Sequence, residues 1–185
     1  MTEIEYSRGD EAETLCMTCG LCCTGHLFSW VQIKATERSR LQQLGLTIIQ
    51  PSARHHGFCQ PCPMWDGECA IYRSKTYPSG CRSFNCKLLR ELLDESISLS
   101  KASRVVKRTK ERISSVEKFL PASKSVSFRE RLMERLTRVK NSSGLSNVDA
   151  EFISKANELL DDFEKQFGVN DLRDLTESNQ IIHGA

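Results

Sequence analysis

From Leu88 onward an apolar residue returns at every seventh position. Leu92, Leu99, Val106, Ile113 and Leu120 form one stripe. Leu88, Ala102, Thr109 and Val116 form a weaker one beside it, interrupted at Glu95. The stretch holds no Gly or Pro before Pro121, which predicts a long helix over about 87–119 with a narrow apolar seam. Ser125 or Ser127 then opens a helix over about 126–140, with Leu132, Leu136 and Val139 on one face. After the Asn141–Gly144 loop, Asn147 or Asp149 caps a third helix over about 148–167. It carries Phe152, Ala156, Leu159, Leu160 and Phe163, and Gly168 stops it. A short helix over 171–176 and a frayed tail close the chain.

The first half is patterned differently. Residues 1–15 read as a polar leader, with a turn of helix at Glu11–Leu15. Leu27–Ile33 is rich in aromatic and β-branched residues and predicts a strand. Thr36 caps a helix over about 37–44, and Leu46–Ile49 is a second strand, stopped by Pro51. Ser52–Gly57, with His55-His56, reads as a polar loop. Asp66-Gly67 signals a hairpin turn with Cys62 and Cys69 on its arms, and Tyr77–Gly80 a turn that delivers Cys81. The fold class expected is α+β: a small cysteine-rich domain of short strands and loops over 16–86, followed by a helical C-terminal extension over 87–185.

Composition changes this picture in one respect. All nine cysteines of the 185-residue chain precede residue 87. Otherwise 39% hydrophobic and 27% charged residues describe an ordinary globular chain, and a net charge of +2 implies no bulk attraction to nucleic acid or membrane. The first residues lack an apolar signal core, and no run approaches the ~18 apolar residues of a membrane span. A reducing cytoplasm is therefore expected, where clustered thiols bind metal. An odd count also argues against full disulfide pairing. Arg73, Lys75, Arg82 and Lys87 stand ready to offset thiolate charge.

The densest stretch is Cys16-Met17-Thr18-Cys19-Gly20-Leu21-Cys22-Cys23. A Cys-x2-Cys turn brings two sulfurs to a separation suited to shared metal ligation. Zinc and iron–sulfur clusters each take four such ligands, so eight thiols suit two four-ligand sites or one polynuclear site. Adjacent side chains in extended backbone point to opposite sides. Cys22 and Cys23 are thus expected to serve different sites, or different metals of one cluster. The spacing differs from ferredoxin, which continues with three residues and Cys-Pro. No βαβ context supports thioredoxin-type chemistry.

Three blocks in order, Cys16-x2-Cys19-Gly20-x-Cys22-Cys23, Cys62-Pro63-x5-Cys69-x-Ile71-Tyr72 and Pro78-x2-Cys81-Arg82-x-Phe84-x-Cys86, resemble the YkgJ-type cysteine-cluster family. That family is described as a zinc- or iron-chelating domain. The resemblance covers residues 16–86 and implies a metal-ligand role for Cys16, Cys19, Cys22, Cys23, Cys62, Cys69, Cys81 and Cys86. It implies an iron–sulfur cluster, with zinc the alternative, because the same domain occurs in flagellin lysine N-methylases where an iron–sulfur centre is implicated. This chain has no Gly-rich nucleotide loop after a strand, so the methylase activity is not carried over. Tyr77 stands where the family has Arg, which removes one charge near the cluster. Cys59 is extra to the eight and reads as a bystander.

The function expected is a metal-binding cysteine-cluster protein with a redox or modification-support role. The alternative is a structural zinc module that presents the long helix to a partner. A protein partner is expected, and neither a membrane nor nucleic acid is. His26, His55 and His56 read as solvated loop residues rather than ligands, and His183 as a bystander. Trp30, Trp65, Tyr72 and Phe84 read as a shield around the centre, and Arg82 as either a donor to a sulfur or an exposed cation. Seven Lys/Arg between Lys101 and Lys118 read as a solvated helix face. No catalytic triad or phosphate loop is visible.

Overall fold

A computed structural model describes residues 8–142 and 144–170. The helix expected over 171–176, His183 and most of the leader lie outside them. Among the described residues, seven α-helices and a three-stranded antiparallel sheet make an α+β fold whose C-terminal part is helical.

Helix α1 spans Arg8–Cys19, far more than the single turn expected. Asp10 and Glu11 suit the positive end of its first turn, and Ala12 and Leu15 are buried against the helices that follow. Cys16 and Cys19 therefore sit on helix, on one face at i and i+3, rather than in a loop. Gly20 ends α1 at φ +73°, and the Trp65 indole occupies the space where a Cβ would stand, 2.2 Å away. The loop that follows closes on itself through Thr24 N–H to Gly20 O (2.8 Å) and Leu27 N–H to Leu21 O (3.1 Å).

Strands β1 (Trp30–Ile33), β2 (Ile48–Ser52) and β3 (His55–Cys59) run in the order β1-β3-β2. The central strand is the stretch expected as a polar loop. His55-His56 hides it, but Phe58 is fully buried and pairs Val31 on one side and Ile48 on the other. Strand β2 runs through Pro51, because it is an edge strand whose register slips between Ile49 and Ser52. Helix α2 (Arg38–Gln43) follows a tight turn at Ala35–Glu37. Ile33, Leu41, Leu46 and Phe58 make a small core beneath the sheet. The expected hairpin around Asp66-Gly67 shrinks to one bridge between Trp65 and Cys69.

Helices α3 (Ser79–Ser83), α4 (Lys87–Leu93), α5 (Leu99–Glu117), α6 (Phe128–Lys140) and α7 (Asn147–Asp162) follow, α7 passing into a wider turn at Phe163–Phe167. The long helix expected over 87–119 is thus two. Glu95 adopts φ +60° and Ser98 caps the new start, accepting from Lys101 N–H (3.3 Å). The break lets α4 and α5 both pack on α1. Both apolar stripes survive it, with Leu92, Val106, Ile113 and Leu120, and Ala102, Thr109 and Val116, all buried. Ser127 and Glu130 form a reciprocal capping box on α6. Ser146, rather than Asn147 or Asp149, caps α7, with Asp149 as its capping-box partner.

One large core runs from Ala12 and Leu15 through Leu21 and Leu27, which flank the Cys22-Cys23 pair, into α4–α7. It does not break at the expected boundary between residues 86 and 87. Helix α6 sits directly on the cysteine loop: Arg129 N–H donates to Gly25 O (3.0 Å), and Ser127 Cβ lies 2.7 Å from where a Gly25 Cβ would be. Among the described residues, no helix is long and apolar enough to cross a membrane.

Candidate metal centre

Helix α1 presents Cys16 and Cys19 in its last turn, and the loop presents Cys22 and Cys23. The chain returns past them after β3. Cys62 N–H donates to Cys23 O (2.7 Å) and Cys69 N–H to Met17 O (3.2 Å), which fixes the second block against the first. Cys81 lies within α3, and Cys86 immediately precedes α4. All eight of these cysteines line one cavity of about 1050 Å³. Cys59 stands outside it, at the end of β3 opposite Trp30.

Glu37 seats the helix that carries Cys81. This buried carboxylate accepts from Lys34 N–H (2.9 Å), Arg40 Nη2 (2.8 Å), Ser79 N–H (3.0 Å) and the Ser79 hydroxyl. Burial pushes its acidity down, but the Ser79 and Lys34 hydrogen bonds and the Arg40 charge outweigh it, so Glu37 stays ionised below the usual carboxylate range. Gly80 lets α3 touch the sheet, since a Cβ there would lie 1.9 Å from Gln32 O. Neither role was visible in the sequence. Gln60 was missed too: it lines the cavity, is 2% exposed, and its Oε1 has no hydrogen-bond partner.

Backbone N–H groups two or three residues ahead donate to the sulfurs. Leu21 serves Cys19, Met64 serves Cys62, Ile71 and Tyr72 serve Cys69, and Leu88 and Leu89 serve Cys86. These bonds favour thiolate over thiol and suit a metal ligand. Burial acts against them and wins. Cys16 is pushed up to about 11, Cys19 and Cys81 to about 12, and the other five upward as well, with neighbouring cysteines adding repulsion for most of them. Without a cation among them the thiols are neutral at physiological pH, and coordination would release one proton per ligand. Among the described residues, no three Cys, His, Asp or Glu side chains already converge on a single ion's position.

The surrounding residues divide. Trp30, Tyr72, Tyr77 and Phe84 line the cavity, whereas Trp65 covers Gly20 beneath the Lys110 ammonium (5.7 Å). Arg82 lies over the Tyr77 ring (5.3 Å) and also lines the cavity. Lys75 also lines the cavity. Arg73 instead pairs with Glu13, and Lys87 with Glu91 (3.8 Å) and the Lys165 carbonyl (2.9 Å). Arg90 and Lys110 take their place, facing Cys86 and Cys19. Of the six cations on α5 and Lys118 just after it, Arg112 pairs with Asp162 (2.7 Å) and Lys110 turns inward, while the other five are exposed.

The described histidines, His26, His55 and His56, stay outside the cavity. His55 bonds Ser52 Oγ (2.7 Å), and His26 packs on the Phe128 ring (4.9 Å) beside Thr24. Burial, then the charges of Arg131 and Lys110, lowers His26 from 6.5 to about 4. Between those values the unfolded chain binds the extra proton, so stability rises with pH. Chemical denaturation of the metal-free protein is expected to show stability falling by up to about 3 kcal/mol as pH drops from 6.5 toward 4. His26→Phe should flatten that slope, and an unchanged slope in the variant would exclude His26 as its source.

No family model matches this chain, and no curated protein or solved structure matches it either.

Proposed function

We propose that this is a cytoplasmic metal-binding protein of the YkgJ-type cysteine-cluster family, holding iron–sulfur chemistry in the eight-thiol cavity. The observation that carries this reading is the meeting of eight cysteines, from three separate sequence blocks, around one cavity with backbone N–H groups on four of their sulfurs. All nine thiols are free, in keeping with a reducing compartment. Such a centre supplies one-electron chemistry when bound. The chain's own residues would hold it, exclude water with Leu21, Leu27 and Leu88, and neutralise thiolate charge with Arg90 and Lys110. Its role is redox or support of a modification enzyme, with a protein partner.

Anaerobic purification, metal analysis and an absorbance spectrum test this. Brown protein with iron and acid-labile sulfide is the expected result. A colourless protein with about two zinc ions per chain would replace it with a structural zinc module.

A further inference from the structure

We propose that the outward face of α5, with the groove between α5 and α1, docks an acidic segment of a partner protein and seats one of its apolar side chains. This gives the protein partner of the proposed function a surface and a chemistry. The surface does not depend on what the cysteine cavity holds.

Charge on α5 is arranged for something outside the chain. The helix holds six Lys/Arg against two Glu, a local +4 in a chain whose whole net charge is +2. Lys101, Arg104, Lys107 and Arg108 are exposed, as is Lys118 just after the helix. Among the described residues, none of these five enters an ion pair. Of the two acidic residues on α5, Glu117 is engaged by Arg131 (3.1 Å), which leaves Glu111. The cations oppose one another instead. Lys101 and Arg104, and Arg104 and Lys107, stand at i and i+3, and Arg104 and Arg108 at i and i+4. Like charges at these spacings destabilise a helix. The first turn holds no acidic residue, so Lys101 also works against the positive end of the helix dipole. The neighbouring helices are built the other way: Arg138 pairs with Glu134 on α6 (2.6 Å) and Lys155 with Glu151 on α7 (3.5 Å). An external anion relieves the α5 face.

Beside this face a groove of about 470 Å³ runs between α5 and α1. Leu15 and Val106, both buried, form its floor, and Ser103, Lys107 and Ser114 stand exposed at its rim. Lys110 crosses from α5 to the Thr18 carbonyl (3.4 Å). An apolar floor between ammonium groups and hydroxyls fits an aliphatic side chain flanked by carboxylates. It suits a phosphate backbone poorly, and among the described residues no aromatic ring lines it for a base to stack on. The small net charge also gives little long-range pull on a polyanion. A protein segment is therefore favoured over nucleic acid. Leu15 and Cys19 line both the groove and the cysteine cavity, so the docked segment stands one side chain from the cavity.

Fluorescence anisotropy on the full chain tests this, with a labelled peptide of four glutamates on each side of one leucine. Saturable binding that weakens as salt rises is expected. Lys101→Gln/Arg104→Gln/Lys107→Gln/Arg108→Gln should weaken it about tenfold, as the loss of four exposed ion pairs implies. That variant should melt no lower than the parent, because the like-charge contacts go with the side chains. Arg138→Gln/Lys140→Gln/Lys155→Gln/Lys165→Gln removes the same charge elsewhere and should bind as the parent does. Ser103→Trp fills the groove at unchanged charge and should cost about fivefold. Photo-leucine in the peptide should cross-link to residues 15–19 and 103–114. Absence of saturable binding, equal losses in the two quadruple variants, or indifference to Ser103→Trp would overturn the proposal. Tighter binding of a single-stranded or duplex oligonucleotide through the same four cations would overturn it in favour of nucleic acid. Metal analysis of the same samples keeps the two readings apart: peptide binding by a chain that holds no metal supports the surface and sinks only the metal reading.

Discussion

Gly80→Ala is expected to destabilise the protein by ~3 kcal/mol and to displace Cys81. The added methyl would stand 1.9 Å from Gln32 O and 2.9 Å from Val31 Cγ1. The first of these is backbone in the middle of β1 and cannot swing aside, so α3 must lift away from the sheet. Lifting it also strains the Glu37 bonds to Ser79. Cys81 is the next residue, and it moves with its helix. A drop of about 10 °C in melting temperature is expected for a chain of this size. Cys81 should alkylate faster, and under the metal-binding proposal metal uptake should fall as well. Gly144→Ala is the control, because nothing lies within 4 Å of its Cβ position and its backbone needs no left-handed φ. Equal melting temperatures for the two variants would show that α3 is not seated as described.

Ending the chain after Leu120 should abolish cooperative folding of what remains. Among the described residues, ten of the twenty-three that form the large core lie beyond that point, including Phe128, Phe152, Phe163 and Phe167. Losing burial of the four phenylalanines alone forfeits about 6–12 kcal/mol of apolar transfer energy. That is comparable with the whole stability of a typical domain, 5–15 kcal/mol. The cut also removes Ser127 and Arg129, which press on Gly25 two residues beyond Cys23. The truncated chain should show no sharp thermal transition, and all nine thiols should react with an alkylating agent. A cooperative transition with shielded cysteines would instead establish residues 16–86 as separable from the helices.

What could be read from the sequence had a local cause. The apolar stripes were legible because α5 buries one narrow face, with Ala102, Thr109 and Val116 completely covered. The cysteine-rich stretch was legible because Cys-x2-Cys turns and Cys22-Cys23 form a dense local pattern, whereas the choice of the eight cysteines that line one cavity came from the resemblance to a cysteine-cluster family and not from spacing. What escaped depended on distant residues. Strand β3 begins His55-His56 and looks like a loop until Val31 and Ile48 pair on either side of Phe58. The break after Leu93 escaped because Glu95, a poor candidate for positive φ, is held there by packing of α4 and α5 on a shared neighbour. Helix α1 reads as polar leader because its buried face is only Ala12 and Leu15 before the cysteines begin. Glu37 reaches Ser79, 42 residues on, and no local pattern announces such a contact.

The shared core also sets an order of events during synthesis. Every cysteine leaves the ribosome before the helices that complete the core around them. Val169, the last described residue of that core, follows Cys86 by 83 residues. At translation rates of 5–20 residues per second, the complete thiol set waits about 4–17 s for its cover. During that interval the thiols face the cell unshielded, open to a metal donor and to an oxidant alike. If the cavity holds a metal centre as proposed, its loading is a contest settled on the nascent chain.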